Sequence, residues 1–219
     1  MKLTNPPYLQ IAMDLVSKDD LIRILNEIPK SNKILLEAGT PLIKKFGISI
    51  LKELFSYDDD CYIIADMKTL DVGKLEVQIA AEEKACAVSI SGLAALETLE
   101  NSIDEGLKND IDIILDLMNV KNPVVLLNQL TKKPKIVLFH RGIDQEGKEE
   151  HPWELITKIK TSFPNILIAI AGGLDLLTSE RALEKGADIL VIGRAITQSK
   201  DVNACINDFL CILNKKHST

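Results

Sequence analysis

Cys61-Tyr62-Ile63-Ile64-Ala65-Asp66-Met67-Lys68-Thr69-Leu70-Asp71 is an apolar run that turns abruptly into charge. Its first half has the β-branched and aromatic character of a short strand. Its second half crowds two carboxylates around one ammonium, as D-x-K-x-x-D. Packing has no use for that much charge at a strand end, so the stretch reads as a place where a metal, a proton or a developing anion is handled. Short apolar runs of the same kind recur at 9–15, 34–37, 62–66, 87–91, 111–117, 136–140, 166–171 and 189–192. Between them the apolar positions follow a helical period. Leu21, Ile22, Leu25 and Ile28 share one face, as do Leu155, Ile156 and Ile159, and Val202, Ile206, Phe209 and Leu210.

The residues closing these runs lie 21 to 32 positions apart, which leaves room each time for a loop, a helix and a loop. Alternating strand and helix demand parallel strands joined by right-handed crossovers. Eight such units close most naturally into a (β/α)8 TIM barrel, here one α/β domain over residues 1–219; a doubly wound open sheet is the alternative. The chain is 46% hydrophobic but only 4% aromatic, so its core is built from Ile, Leu, Val and Ala, as buried parallel strands require.

A net charge of −6, with 32 acidic residues and no basic stripe, argues against a nucleic-acid surface. No apolar stretch approaches the length of a membrane span, and the polar start is no signal peptide. Cys61, Cys86, Cys205 and Cys211 have no metal-ligand spacing and read as buried free thiols. A soluble, cytoplasmic protein is expected.

In a barrel all strand C-termini open on one face, where such enzymes keep their chemistry. The closing residues are Asp14, Glu37, Asp66 with Lys68 and Asp71, Ser91, Asp116, His140, Gly172-Gly173 and Gly193-Arg194. Any one of them reads equally well as a solvated loop residue; eight strands all ending this way do not. Gly172, Gly173 and Gly193 let backbone N–H groups approach an anion, and Arg194 adds a bidentate charge, so strands 7 and 8 form a phosphate-binding corner. Glu37 and Asp66 end neighbouring strands and can share one hard cation such as Mg2+. Lys68 stabilises an enolate-like oxygen on the same face, with Asp71 orienting it or a substrate hydroxyl. His140 is the one histidine at a strand end and a candidate to move a proton on or off carbon. Asp14 and Asp116 join the candidate catalytic carboxylates. His151 and His217 receive no role, and Trp153 reads as the anchor of the helix after strand 6.

These residues resemble the orotidine 5′-phosphate decarboxylase superfamily, whose signature is D-x-K-x-x-D after strand 3 of a (β/α)8 barrel. Asp66, Lys68 and Asp71, followed by Val72-Gly73, look like its hexulose-phosphate synthase and 3-keto-L-gulonate 6-phosphate decarboxylase branch. So does Glu37-Ala38-Gly39-Thr40-Pro41-Leu42-Ile43, and the likeness runs from Gln10-Ile11-Ala12-Met13-Asp14 to Gly193-Arg194-Ala195-Ile196-Thr197. Glu37 has no counterpart in true orotidylate decarboxylases, which need no metal. The gulonate phosphate decarboxylase pattern carries H-R-S-R-D and a strand-5 glutamate. This chain has His140-Arg141-Gly142-Ile143-Asp144 and Asp116 in those places, which is similar to archaeal hexulose-phosphate synthases.

The resemblance implies an aldolase that joins formaldehyde to D-ribulose 5-phosphate through a 1,2-enediolate, with Mg2+ on Glu37 and Asp66. It implies His140 as base, Lys68 as counter-charge, and Gly173, Gly193 and Arg194 on the phosphate. It further implies a homodimer in which Asp71 enters the partner's site. The alternatives are 3-keto-L-gulonate 6-phosphate decarboxylation, an orotidylate decarboxylase-like activity, and a non-catalytic sugar-phosphate binder.

Overall fold

In the computed structural model, which describes residues 3–58, 60–145 and 150–215, eight parallel strands close on themselves. The chain runs β1 (Tyr8–Met13), α1 (Lys18–Glu27), β2 (Ile34–Ala38), α2 (Thr40–Phe46), α3 (Leu51–Leu54) and β3 (Tyr62–Thr69). It continues as α4 (Gly73–Glu82), β4 (Ala87–Ser91), α5 (Leu96–Asn109), β5 (Asp112–Asp116), α6 (Pro123–Gln129) and β6 (Ile136–His140). Then follow α7 (Trp153–Ser162), β7 (Leu167–Ala171), α8 (Leu176–Glu184), β8 (Ile189–Ile192), α9 (Arg194–Thr197) and α10 (Val202–Lys215). Each strand pairs with the next, and β8 returns to β1 through Tyr8 opposite Ile189 and Ile11 opposite Ile192. This is the expected single-domain (β/α)8 barrel.

Parallel strands here are buried on both faces, and the period of two splits their side chains into two cores. On β1, Leu9, Ile11 and Met13 pack outward against the helices, while Tyr8 and Ala12 join the lumen. The lumen mixes small and large residues, such as Ala87, Ala169 and Ala171 with Tyr62, Ile114 and Ile136. It is a filled interior, and the barrel's cavity opens at the C-terminal ends of its strands.

Three local expectations are corrected. The D-x-K segment does not follow β3 but lies within it, because the strand runs on to Thr69. Ile22 is 45% exposed and Ile24 takes its place in the core. Ser17 caps α1 by accepting from the Asp20 N–H, which sets the helix phase so that Leu21, Ile24 and Leu25 face inward. Among the cysteines only Cys61 is buried; Cys211 is exposed on the outer side of α10, and all four are free thiols. Trp153 is buried at the start of α7, as expected. His217 lies outside the described residues, among which no helix is long and apolar enough to cross a membrane.

Candidate active site

The C-terminal ends of the strands surround a cavity of about 630 Å³. Asp14, Glu37, Asp66, Lys68, His140, Gly172, Gly173, Gly193 and Arg194 all line it, as the sequence predicts. Asp116 lies behind the wall, buried, and Asp71 lies outside altogether.

The β3 backbone explains how Asp66 and Lys68 come to share one wall. Ala65 pairs with Val88, yet Thr69 pairs with Ile90, so four steps along β3 oppose two along β4. Lys68 absorbs the irregularity in a left-handed conformation with φ of 48°, which costs a non-glycine residue on the order of 1 kcal/mol. Its N–H donates to Ser89 Oγ at 2.9 Å, satisfying a group the ladder has lost. Asp66 accepts from Ser89 Oγ and from Thr40 Oγ1, each at 2.6 Å. Both carboxylate oxygens are therefore oriented by hydroxyls from the neighbouring strand and helix.

The Lys68 ammonium sits 3.2 Å from Asp66 Oδ2 and 2.7 Å from Asp116 Oδ2. Burial opposes its charge, but Asp66 and Asp116 outweigh that and raise its pKa above the ordinary lysine value. Burial opposes ionisation of Asp116 too. The bond and charge of His140, then those of Lys68, prevail and hold its carboxyl at about 2. Asp116 Oδ2 lies 3.0 Å from His140 Nδ1, and its Oδ1 accepts from the Met118 N–H at 2.9 Å. A carboxylate only accepts, so this nearer contact calls for a proton on Nδ1 and leaves Nε2 toward the cavity, although the Lys68 ammonium also stands 3.3 Å from Nδ1. Asp116 thus aims both Lys68 and His140, a task the sequence suggested for Asp71. The carboxyl of Asp71 instead accepts from the Val72 N–H on the exposed turn after β3.

On the opposite wall, Glu37 is buried and accepts from Gln10 Nε2 at 2.6 Å. Burial, then the charges of Asp66 and Asp14, push its carboxyl well above the usual range. At the rim, partial desolvation followed by Asp66 raises Asp14 as well. Gly39 leaves room for this crowding, since a Cβ there would lie 2.1 Å from Asp14 Oδ1. Hard oxygen donors with surplus negative charge fit a magnesium ion, which takes one or two protein carboxylates and completes its shell with other oxygens. Among the described residues no three histidine, cysteine, aspartate or glutamate side chains group tightly enough to hold a metal alone.

At β7 and β8 the site is built from backbone. Gly172 and Gly173 have φ of 104° and 61°, conformations that favour glycine. A Cβ on Gly172 would meet the Arg141 carbonyl oxygen at 2.1 Å. Gly193 opens the short helix α9, which carries Arg194 on the cavity wall.

A family model, orotidine 5′-phosphate decarboxylase / HUMPS, matches residues 7–209. The chain belongs to the orotidine 5′-phosphate decarboxylase / HUMPS family. A relative from Methanothrix thermoacetophila named "Bifunctional enzyme Fae/Hps" is 46% identical over 215 residues, 98% of this chain and 55% of that protein. The chain therefore spans about half the length of the curated relatives it matches. A solved structure of 3-hexulose-6-phosphate synthase superposes with a TM-score of 0.83 at 26% identity, covering 94% of this chain and 99% of that one. KGPDC from Streptococcus mutans, solved as a ligand complex, gives a TM-score of 0.82 at 20% identity, covering 95% and 98%, and shares the fold.

Within this family frame, sequence reasoning missed the residues that aim the others. Gln10, Thr40 and Ser89 touch the acidic side chains, and His151 is buried against the turn between β7 and α8. Thr40 stands inside the recognised Glu37-to-Ile43 run. Gln10 and Ser89 are polar residues in the middle of apolar strands, a signal that points to a buried partner.

Proposed function

We propose that this chain is a 3-hexulose-6-phosphate synthase, joining formaldehyde to D-ribulose 5-phosphate reversibly. The observation that carries the reading is the Lys68–Asp116–His140 cluster in direct contact with Asp66, with Glu37 lining the same cavity. It combines a base, a cation for a developing oxyanion, and two acidic donors. A fusion-protein relative at 46% identity and a synthase structure at 26% support it.

The sugar phosphate anchors at Gly173, Gly193 and Arg194, which places the reacting carbons toward β2, β3 and β6. His140 Nε2 takes the C1 proton. Lys68 lies ready for the enediolate oxygen and needs no reorganisation, because Asp66 and Asp116 already hold it. C1 then attacks the formaldehyde carbon, and the new alkoxide takes up a proton. A magnesium ion on Glu37 and Asp66 would supply a Lewis-acid charge beside the C2 carbonyl. The same cavity run in reverse releases formaldehyde.

The reading includes a homodimer. Asp71 is exposed in an apolar surrounding: Leu70, Val72 and Leu75 are 58%, 55% and 54% exposed. Leu93 adds a fourth exposed apolar side chain on the next loop. Pairing two such faces buries this patch and delivers Asp71 to a second cavity.

The decisive assay supplies Mg2+, D-ribulose 5-phosphate and formaldehyde to the purified chain. Both substrates should disappear together, and the C1 proton should exchange with deuterated water before formaldehyde is added. If neither happens while 3-keto-L-gulonate 6-phosphate loses CO2, the decarboxylase reading replaces this one.

A further inference from the structure

His151 is a buried polar residue beside the cavity that the reaction does not use, at 5% exposed. Its Nε2 lies 2.9 Å from the Gly172 carbonyl oxygen. A carbonyl only accepts, so Nε2 carries the proton and donates. Arg141 Nη2 donates to the same oxygen at 3.0 Å. Two side chains from the β6–α7 connection thus fill both lone pairs of one carbonyl in the β7–α8 turn. The Arg141 N–H also donates to Ala171 O at 3.0 Å, so the two connections are joined at consecutive carbonyls.

The imidazole is itself braced. The His151 ring lies 5.1 Å from that of Trp153, and the Arg181 guanidinium of α8 sits 4.9 Å over the other ring of that pair, Trp153. Burial, then the charge of Arg141, lower the His151 pKa and keep the ring neutral. A peptide unit is planar and, here, trans, so the Gly172 C=O and the Gly173 N–H point in opposite directions. Fixing the carbonyl toward the β6–α7 connection therefore fixes the Gly173 N–H on the other side.

We infer that His151 is a positioning residue for substrate phosphate: by holding the Gly172 carbonyl together with Arg141, it sets the direction of the Gly173 N–H. This rests on the reading of Gly173 and Arg194 as the phosphate site. The residue would act on ground-state binding of the phosphate and leave the proton transfer at His140 alone, so KM moves and kcat does not.

The test compares wild type, H151F, H151N, H151Q and R194A by calorimetric titration with D-ribulose 5-phosphate, with thermal melts and steady-state kinetics alongside. Glutamine places its amide nitrogen near the Nε2 position, whereas asparagine falls short and phenylalanine has no donor. H151F and H151N should raise KM and Kd about five- to tenfold, the value of one lost hydrogen bond in a confined site, with kcat within about twofold. H151Q should return to wild-type values. If H151F does not fold, H151N carries the comparison. Unchanged KM in a folded H151N, or a loss of kcat without a change in KM, overturns the inference, as does failure of glutamine to rescue. R194A separates the two levels. If it leaves Kd unchanged, the phosphate reading fails; if R194A weakens binding and H151N does not, only the role of His151 fails.

Discussion

The two halves of the cavity are built by opposite means. Around β2, β3, β5 and β6 the site is made of side chains rooted in strands. Asp116 is 2% exposed, Asp66 5% and Glu37 7%, and each is oriented by a hydrogen bond. Around β7 and β8 it is made of backbone turns, with an exposed arginine on a helix of four residues. The first half carries charge that repels itself and is held by the fold. The second carries little charge and is held by glycine geometry. Chemistry at carbon needs groups whose protonation and direction are decided in advance, and buried strand ends provide that. The proposed grip on a phosphate needs N–H groups free of side-chain obstruction, which glycine turns provide.

The contrast breaks most sharply at Lys68. Lys68→Ala should lower kcat by about 10³-fold while calorimetric binding of D-ribulose 5-phosphate survives, because the phosphate half is untouched. Equal loss of binding and turnover would mean that the halves do not act separately.

Glu37→Gln tests the self-repulsion of the first half. Activity should fall below detection, yet the metal-free protein should become more stable, with Tm rising about 2–4 °C for each kcal/mol gained. The sign follows from the raised carboxyl. The folded state holds the Glu37 proton more tightly than the unfolded chain, whose ordinary value is 4.5, so wild-type stability falls as pH rises above that value. The Tm difference between variant and wild type should vanish near pH 4 and widen toward neutrality in the presence of a chelator. A variant less stable than wild type at neutral pH would contradict the electrostatic account of this wall.

In the second half, Arg194→Ala should raise KM for the sugar phosphate about 10- to 100-fold with a smaller effect on kcat, as expected for a lost charge-assisted contact. The smallest effect is expected at the mouth, where Ile143 is 57% exposed. Ile143→Arg should introduce trace loss of CO2 from 3-keto-L-gulonate 6-phosphate, well short of the roughly 10²-fold that a positioned proton donor supplies. No change at all would remove that position from the choice between the two reactions.

The barrel, the strand-end face and most of the charged cavity residues were legible in the sequence, whereas Asp71 and Asp116 do not line the cavity and Thr40 does. Parallel strands buried on both sides read as nearly continuous apolar runs, and polar residues gather where they end, with Gln10 and Ser89 as mid-strand exceptions. The direction of each side chain was not legible. D-x-K-x-x-D puts Asp71 within reach of Lys68 on paper, but the β3 irregularity and the left-handed Lys68 turn the lysine inward to Asp116, 48 residues away in sequence. The exposed turn carries Asp71 off. His151 looked like one more residue of a helix-entry loop, and only the approach of two loops across the barrel rim gives it the Gly172 carbonyl. Sequence alone determines which residues stand at strand ends, because hydrophobic periodicity is local. Tertiary structure decides which of them meet, because hydrogen bonds and ion pairs form between residues that only the closed barrel brings within about 3 Å.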